Sequence, residues 1–262
     1  MAKGSEMVNA GNPPAPEDLD VTVEVRVVVT TVVDGAFQVL LRQRTVPPFR
    51  DSWELPGGPL QPGEGLEDTA KRELAKAAPT YNEDPVGSRR YHLEQFGAYG
   101  DPDPIPEDAP ERVVSIGYWA IVPNLADTAM GDHVTSHKLF RVAEVDAGQA
   151  REFDEVRLAF NHRQILADAI EWARDRLENT TIAASFCGTE FTISELRGVY
   201  DAVWGTKLDP GNFQRKVKQT NDFLVSLQRT NHSDDKAGRP AALWSLGSAS
   251  RLNPPLSRPN PS

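Results

Sequence analysis

The chain has 262 residues, 39% of them hydrophobic and 25% charged, the composition of a soluble globular protein with room for one large domain or two modest ones. No apolar run approaches the roughly 18 residues of a membrane span, and residues 1–19, rich in Pro, Gly and polar residues, lack a signal peptide's apolar core and are expected to be a disordered tail. The net charge of −10 excludes a uniformly basic nucleic-acid binder, yet residues 180–262 carry ten Lys/Arg against seven Asp/Glu while residues 1–179 carry 18 against 31.

In chain order, "VTVEVRVVVTTVV" from Val21 is dense in β-branched residues and predicts a strand. Asp34-Gly35 is a hairpin signal, and "AFQVLLRQR" returns as the paired strand. "TVPPFRDSWELPGG" reads as loop, because its prolines and glycines leave little room for a regular element. Leu66, Ala70, Leu74 and Ala78 share one helical stripe, which Pro79 ends. "YHLEQFGAYG" and "RVVSIGYWAIVP" predict two further strands, separated by an exposed acidic loop at 101–111, and "HKLFRVAEV" predicts another short strand. "AFNHRQILADAIEWARDRLENT" predicts a long amphipathic helix with Ile165, Ala169, Trp172 and Leu177 near one face. The expected organisation is a mixed α/β body over residues 20–157, a junction helix over 158–179, a helix-dominated domain over 180–247, and a disordered Ser/Pro-rich tail over 248–262. Cys187 is the only cysteine, so there is no intrachain disulfide or cysteine metal site, which points to the cytoplasm.

Gly58, Glu64, Arg72, Glu73 and Leu74 fall at the offsets of a Nudix box, and over residues 20–157 the chain resembles the Nudix hydrolases. That resemblance implies an α/β/α sandwich on a mixed sheet. In the family, three carboxylates on one face of the helix hold magnesium against a pyrophosphate. Positions 73, 76 and 77 share that face here, and they are Glu73, Lys76 and Ala77. An ammonium there replaces attraction for Mg²⁺ by repulsion of about 1 kcal/mol or more. The expectation is therefore no catalytic residue, no metal and no cofactor. The rival is an ADP-ribose pyrophosphatase that has rebuilt its site from Glu67, Asp68 or Glu94.

"FTISELRGVYDAVWGTKLDPGNFQRKVKQT" predicts a helix–turn–helix. Thr192 or Ser194, both also candidates for DNA contact, caps the first helix, and Leu196, Val199, Tyr200 and Val203 form its apolar face. Trp204-Gly205 ends it, and Asp209 caps the second helix with Pro210 at its first position. With Phe213 and Val217 facing inward, Asn212, Gln214, Arg215, Lys216 and Lys218 are left for base edges and phosphates. "FLVSLQRTN" and "ALWSLG" predict a wing hairpin with Lys236 and Arg239 near its tip.

Together these segments, with "PPFRDSWELPGG", "LAFNHRQIL" and "GRPAALWSL", resemble the Nudix-related regulators of NAD metabolism, the NrtR family, over roughly residues 20–247. The resemblance implies a homodimeric repressor of NAD biosynthesis or salvage genes on a palindromic double-stranded DNA operator. Its Nudix domain would sense ADP-ribose or a related nucleotide metabolite. Asn161 departs from the acid common before His162. For the effector, Arg42, Arg44 and Arg50 are candidates for a diphosphate and Trp53 or Tyr118 for stacking on adenine. Arg72 and Glu73 are expected mainly to hold each other, and His162 to be a satisfied junction histidine rather than a base. His133 and His137 are assigned nothing.

Overall fold

The computed structural model describes residues 21–79, 92–101, 112–125, 136–146, 156–231 and 240–259. The tail at 1–19, most of the acidic loop at 101–111, His133, Lys236 and Arg239 lie outside the described residues.

Strand β1 (Val21–Val33) runs through the middle of a mixed sheet. β-Branched side chains suit a surface packed on both faces, and their alternation serves two cores. Val25, Val27 and Val29 enter one apolar cluster while Val28 enters another. Asp34 and Gly35, at φ 50° and 70°, form the tight turn into β2 (Ala36–Gln43), which pairs antiparallel with β1. The stretch 45–58, expected as loop, contributes two short strands. β3 (Trp53–Glu54) adds to β2, and β4 (Gly57–Pro59) adds to β1. Two or three residues are too few for a periodicity, so only their partners reveal them. Helix α1 (Leu66–Ala77) follows, burying Ala70, Leu74 and Ala77, and Ala78 before Pro79 leaves the helix at φ −132°.

β5 (His92–Tyr99) and β6 (Arg112–Ile121) form as expected, β6 running parallel to β1 and antiparallel to β5. The segment expected as one strand at 137–145 divides into β7 (His137–Arg141), paired with β2, and a short helix α2 (Val142–Asp146). Val142 and Val145, three apart, are both buried, a spacing that a helical turn satisfies and a strand does not. Among the described residues this sheet has seven strands, ordered β3-β2-β1-β6-β5 with β4 on β1 and β7 on β2.

Helix α3 (His162–Asn179) buries Ile165, Leu166, Ala169, Ile170, Ala173 and Leu177. A 3-10 helix (Thr181–Phe186) turns the chain into β8 (Phe191–Thr192), α4 (Ile193–Trp204) and α5 (Pro210–Gln219), then β9 (Leu224–Asn231) and β10 (Ala241–Leu246). The expected wing hairpin β9–β10 is joined by β8 in a three-stranded sheet. One apolar cluster runs without a break from Val28, Trp119 and Ile121 of the first sheet, through α3, to Leu196, Tyr200 and Phe213. Phe186 stands at the seam, its ring 6.0 Å from Phe37 and 6.3 Å from Trp119.

Residues 248–259 are not the disordered tail expected from their Ser/Pro content. Leu252 and Leu256 are buried at 4% and 3% exposure in the shared core. The backbone N–H groups of Leu252 and Leu256 donate to Asn179 O at 2.9 Å and Glu178 O at 3.0 Å. The last carbonyls of a helix need donors from outside it, and this segment supplies them. Phe186→Ala should lower stability by about 3 kcal/mol or more, because an aromatic is removed from a packed interior. The check is the urea midpoint of unfolding, which is expected to fall at unchanged slope.

Candidate functional site

Two regions gather the functional candidates. The first lies on either side of β4. Gly57 packs against β1 so closely that a Cβ there would lie 2.2 Å from Val25 O and 2.8 Å from Arg26 Cδ. A Cβ on Gly58 would lie 2.9 Å from Glu73 Oε1. Gly57 is therefore required by close approach to backbone, while a Cβ on Gly58 would displace the Glu73 carboxylate, and each separates β4 from a charge cluster.

Around Gly58, Arg72 holds the box together. Its Nε and Nη2 donate to Glu64 Oε1 at 2.8 Å and Oε2 at 2.9 Å, its Nη2 donates to Pro59 O at 3.0 Å, and its Nη1 pairs with Glu73. That hydrogen bonding holds the Glu64 carboxyl well below its ordinary range, at about 2. Glu73 is buried, and Lys76 Nζ donates to its Oε1 at 2.8 Å. Arg72 and Glu73 thus hold each other, as expected. The acids considered for a rebuilt site do not converge on Glu73. Glu67 pairs with Lys71, Asp68 accepts from Gly65 N at 3.1 Å, and Glu94 pairs with Arg176 of α3 and with His92. Among the described residues, no group of three or more His, Cys, Asp or Glu is arranged to hold a metal ion.

Beside Gly57 lies the other cluster, centred on Glu54, which is 2% exposed. Arg42 donates from Nε at 2.9 Å and Nη2 at 2.6 Å to its Oε1, and Arg44 Nη1 donates at 2.5 Å to its Oε2. Arg26 reaches the same Oε2 at 3.8 Å and forms a fork with Glu24, at 2.7 and 2.5 Å. Three guanidiniums so face two carboxylates, and burial demands that such charges be paired. Arg42 and Arg44 are brought together as expected, but they are engaged by Glu54 rather than free. Arg50 is exposed on the adjoining turn. Trp53 is half-buried, packed edge-on at 4.7 Å from Phe140. Tyr118 does not offer a stacking face: it is buried in the core with α1, its hydroxyl on Gln95 at 3.4 Å, and burial pushes its pKa up. Arg26, Glu24 and Glu54 were missed by the sequence reading. Their signal was an acid and a base set among valines in "VTVEVRVVV" and an acid between Trp53 and Leu55.

His162 ties this cluster to α3. It is 1% exposed, and its Nδ1 accepts from Leu55 N at 3.1 Å, so the ring is neutral with its proton on Nε2. Burial, then the charges of Arg26, Arg44 and Arg42, holds its pKa well below 6.5. This is the satisfied junction histidine expected. Asn161 precedes it at the helix start without a side-chain cap. His137 is also lowered, to about 4, first by burial and then by Arg42.

The second region is the helix pair α4–α5. Thr192 Oγ1 accepts from Glu195 N at 3.1 Å while Thr192 N donates to Glu195 Oε2 at 2.6 Å. That capping box assigns the cap to Thr192, which is buried and so is not placed to reach DNA; Ser194 is exposed in the first turn. Gly205, at φ 67°, closes α4 in the left-handed conformation. The turn rests on Asp201, which accepts from Leu208 N at 2.9 Å. Asp209 Oδ1 accepts from Asn212 N at 2.8 Å and starts α5 with Pro210 at its first turn. Phe213 and Val217 face inward, with the Phe213 ring 5.2 Å from Tyr200. Asn212, Gln214, Arg215, Lys216 and Lys218 are exposed together on the outer face. Arg215 Nη2 donates to Asn212 Oδ1 at 3.1 Å, and Lys218 lies over the Trp244 ring of β10 at 5.3 Å.

Residues 23–168 match the NUDIX domain, and residues 183–246 match the NrtR DNA-binding winged helix domain. The chain is 26% identical over 218 residues to the ADPR responsive transcriptional repressor NtrR of Acinetobacter baylyi, covering 82% of this chain and 78% of that one. The crystal structure of Shewanella oneidensis NrtR complexed with a 27mer DNA is similar at a TM-score of 0.71 and 26% identity, over 90% of this chain and 99% of that chain. A MutT/nudix family protein from Enterococcus faecalis shares the fold at a TM-score of 0.62 and 22% identity, over 89% of each chain.

The neutral His162 makes a pH prediction. Its folded pKa is depressed, so below about 6.5 the unfolded chain binds more protons and stability falls with acid. Above that pH its contribution is fully present. The urea midpoint should therefore decline as pH drops below about 6.5, and His162→Gln should decline less steeply than the parent over the same window.

Proposed function

Because the chain belongs to the Nudix family and carries the winged helix of the NrtR regulators, we propose that it is a metabolite-responsive transcriptional repressor of NAD biosynthesis or salvage genes. The observation that carries this reading is the outer face of α5. Two amide side chains, an arginine and two lysines are exposed together on a helix whose inner face is fixed to α4. Arginine and amides match base edges in the major groove, and lysines match phosphates. The likeness to a DNA-bound NrtR over nearly the whole of both chains supports it.

The effector is ADP-ribose or a close relative, supported by the ADPR-responsive relative. Its diphosphate calls for guanidiniums, and Arg42 and Arg44 meet beside Arg26 at Glu54, with Arg50 on the adjoining turn. Hydrolysis does not fit the box. A Nudix magnesium site needs helical carboxylates, whereas Lys76 and Ala77 occupy two of the three positions and Glu73 is engaged by Arg72 and Lys76. A receptor that leaves its signal intact needs no continuous supply of it. The protein acts in the cytoplasm as a homodimer, each winged helix covering one half of a palindromic operator, with half-sites about 34 Å or a multiple apart.

The full chain should bind a duplex recovered from a randomised pool, and ADP-ribose should weaken that binding; a chain that enriches no sequence would refute the reading. Incubation of ADP-ribose with the protein and Mg²⁺ should leave it intact on chromatography, with no turnover approaching about 1 per second. Arg215→Ala should cost about 1–3 kcal/mol of discrimination for the selected duplex. Lys216→Ala should instead weaken binding to every sequence and reduce the salt slope by about one.

A further inference from the structure

We infer that residues 249–258 form a strap that sets the angle of the recognition helix α5, and so belongs to the DNA-reading apparatus although it lies outside the winged helix. The inference rests on the winged helix being the DNA-binding element. The strap is attached at its start to the residues that directly follow the junction helix and at its end to the helix itself. At its start, Thr181 N donates to Ser250 O at 3.4 Å and Thr181 Oγ1 to Ala249 O at 2.9 Å, with Arg251 bridged to Thr180. At its end, Arg258 N donates to Glu178 Oε1 at 2.9 Å, and the Arg258 guanidinium reaches Glu171 at 3.4 Å.

Between these anchors Leu256 points inward. Leu256 and Ser257 share a cavity of about 130 Å³ with Trp204, Leu208, Asn212 and Phe213, the end of α4 and the first turns of α5. Only Phe213 and Val217 of α5 are buried, so the helix has a narrow footing of its own. A second connection runs through polar groups. Glu171 binds Arg174 at 2.5 Å as well as Arg258, Arg174 Nε donates to Val203 O at 3.2 Å, and Trp204 Nε1 donates to Arg174 O at 3.4 Å. The strap, α3 and the end of α4 are thereby joined next to the Gly205 turn that aims α5.

A strap that aims α5 governs the geometry of base contacts, while leaving the charge that meets phosphates unchanged. The test compares the full chain, a chain ending at Gly247, Leu256→Ala and Arg258→Ala. Each is measured against the duplex that the full chain selects from a randomised pool and against a shuffled duplex, and ADP-ribose is titrated by calorimetry on the same proteins. Leu256→Ala is expected to lose about tenfold of its preference for the selected duplex, the discrimination of one well-placed base contact. Its affinity for the shuffled duplex, its salt slope and its ADP-ribose binding should be unchanged, and Arg258→Ala should shift preference in the same direction. Should the shortened chain fail to fold, the two point variants decide. A loss shared equally by both duplexes, or full retention of preference, would overturn the strap. A full chain that selects no duplex would overturn the DNA-binding reading, and the strap with it.

Discussion

The rest of the molecule depends on α3 having no surface of its own to spare. Seven of its side chains are buried, six of them apolar, and each large apolar one contributes about 2 kcal/mol by leaving water. One lobe alone does not supply that cover. The helix is bound to the first sheet at three heights: Leu55 with His162, Tyr99 with Asp168 at 3.0 Å, and Glu94 with Arg176. Its other side receives Trp204 and the strap. A helix shared in this way makes the two lobes one apolar body, so a shift at either end of it must be accommodated at the other.

The Nudix lobe shows the same economy of contacts at β4. Two glycines let a three-residue strand lie flat between Arg26 and Glu73, and each neighbour anchors a separate charge network. On one side Arg72 fastens the loop to the helix. On the other, Glu54 collects arginines from two strands and passes its backbone position to His162 through the next residue. β3 is therefore held by its side chain at the charge cluster and by its backbone at residues 157–159, which lead into α3. Trp53 N donates to Arg157 O and Ala159 N to Trp53 O, both at 2.8 Å. An anion that draws Arg42 or Arg44 away from Glu54 would change the force on a strand whose next residue, Leu55, is bonded to His162 of the junction helix.

What was legible in the sequence is what local chemistry writes. The Thr192–Glu195 box, the Asp209-Pro210 start and the Gly205 stop are each complete within a few residues, and the structure has all three. The Nudix body was legible because its strands are long and its box has fixed offsets. What was not legible depends on distant partners. β3, β4 and β8 are two or three residues long and exist only through pairing. Arg42 and Arg44 reach Glu54 from one run at a spacing of two, whereas Arg26 comes from another strand, so no spacing predicts that it joins them. The strap was hidden by its composition: Ser and Pro suggest disorder, while the backbone of Leu252 and Leu256 finds its acceptors at the end of a helix more than seventy residues earlier. Tyr118 was offered to a ligand because exposure cannot be read from an aromatic alone.

Lys76 on Glu73 has a consequence for how the charge of the box is set. A dissociable metal gives a carboxylate site a charge that rises and falls with the concentration of the free ion. Here the counter-ion is covalently part of the same helix, one turn away, and Arg72 adds a second. The neutralisation of Glu73 is thus constant, fixed by peptide bonds rather than by mass action. If the lobe senses a nucleotide as proposed, a receptor wired this way would respond to it without also reporting the cell's magnesium level, which separates two variables that a metal-dependent pocket would confound.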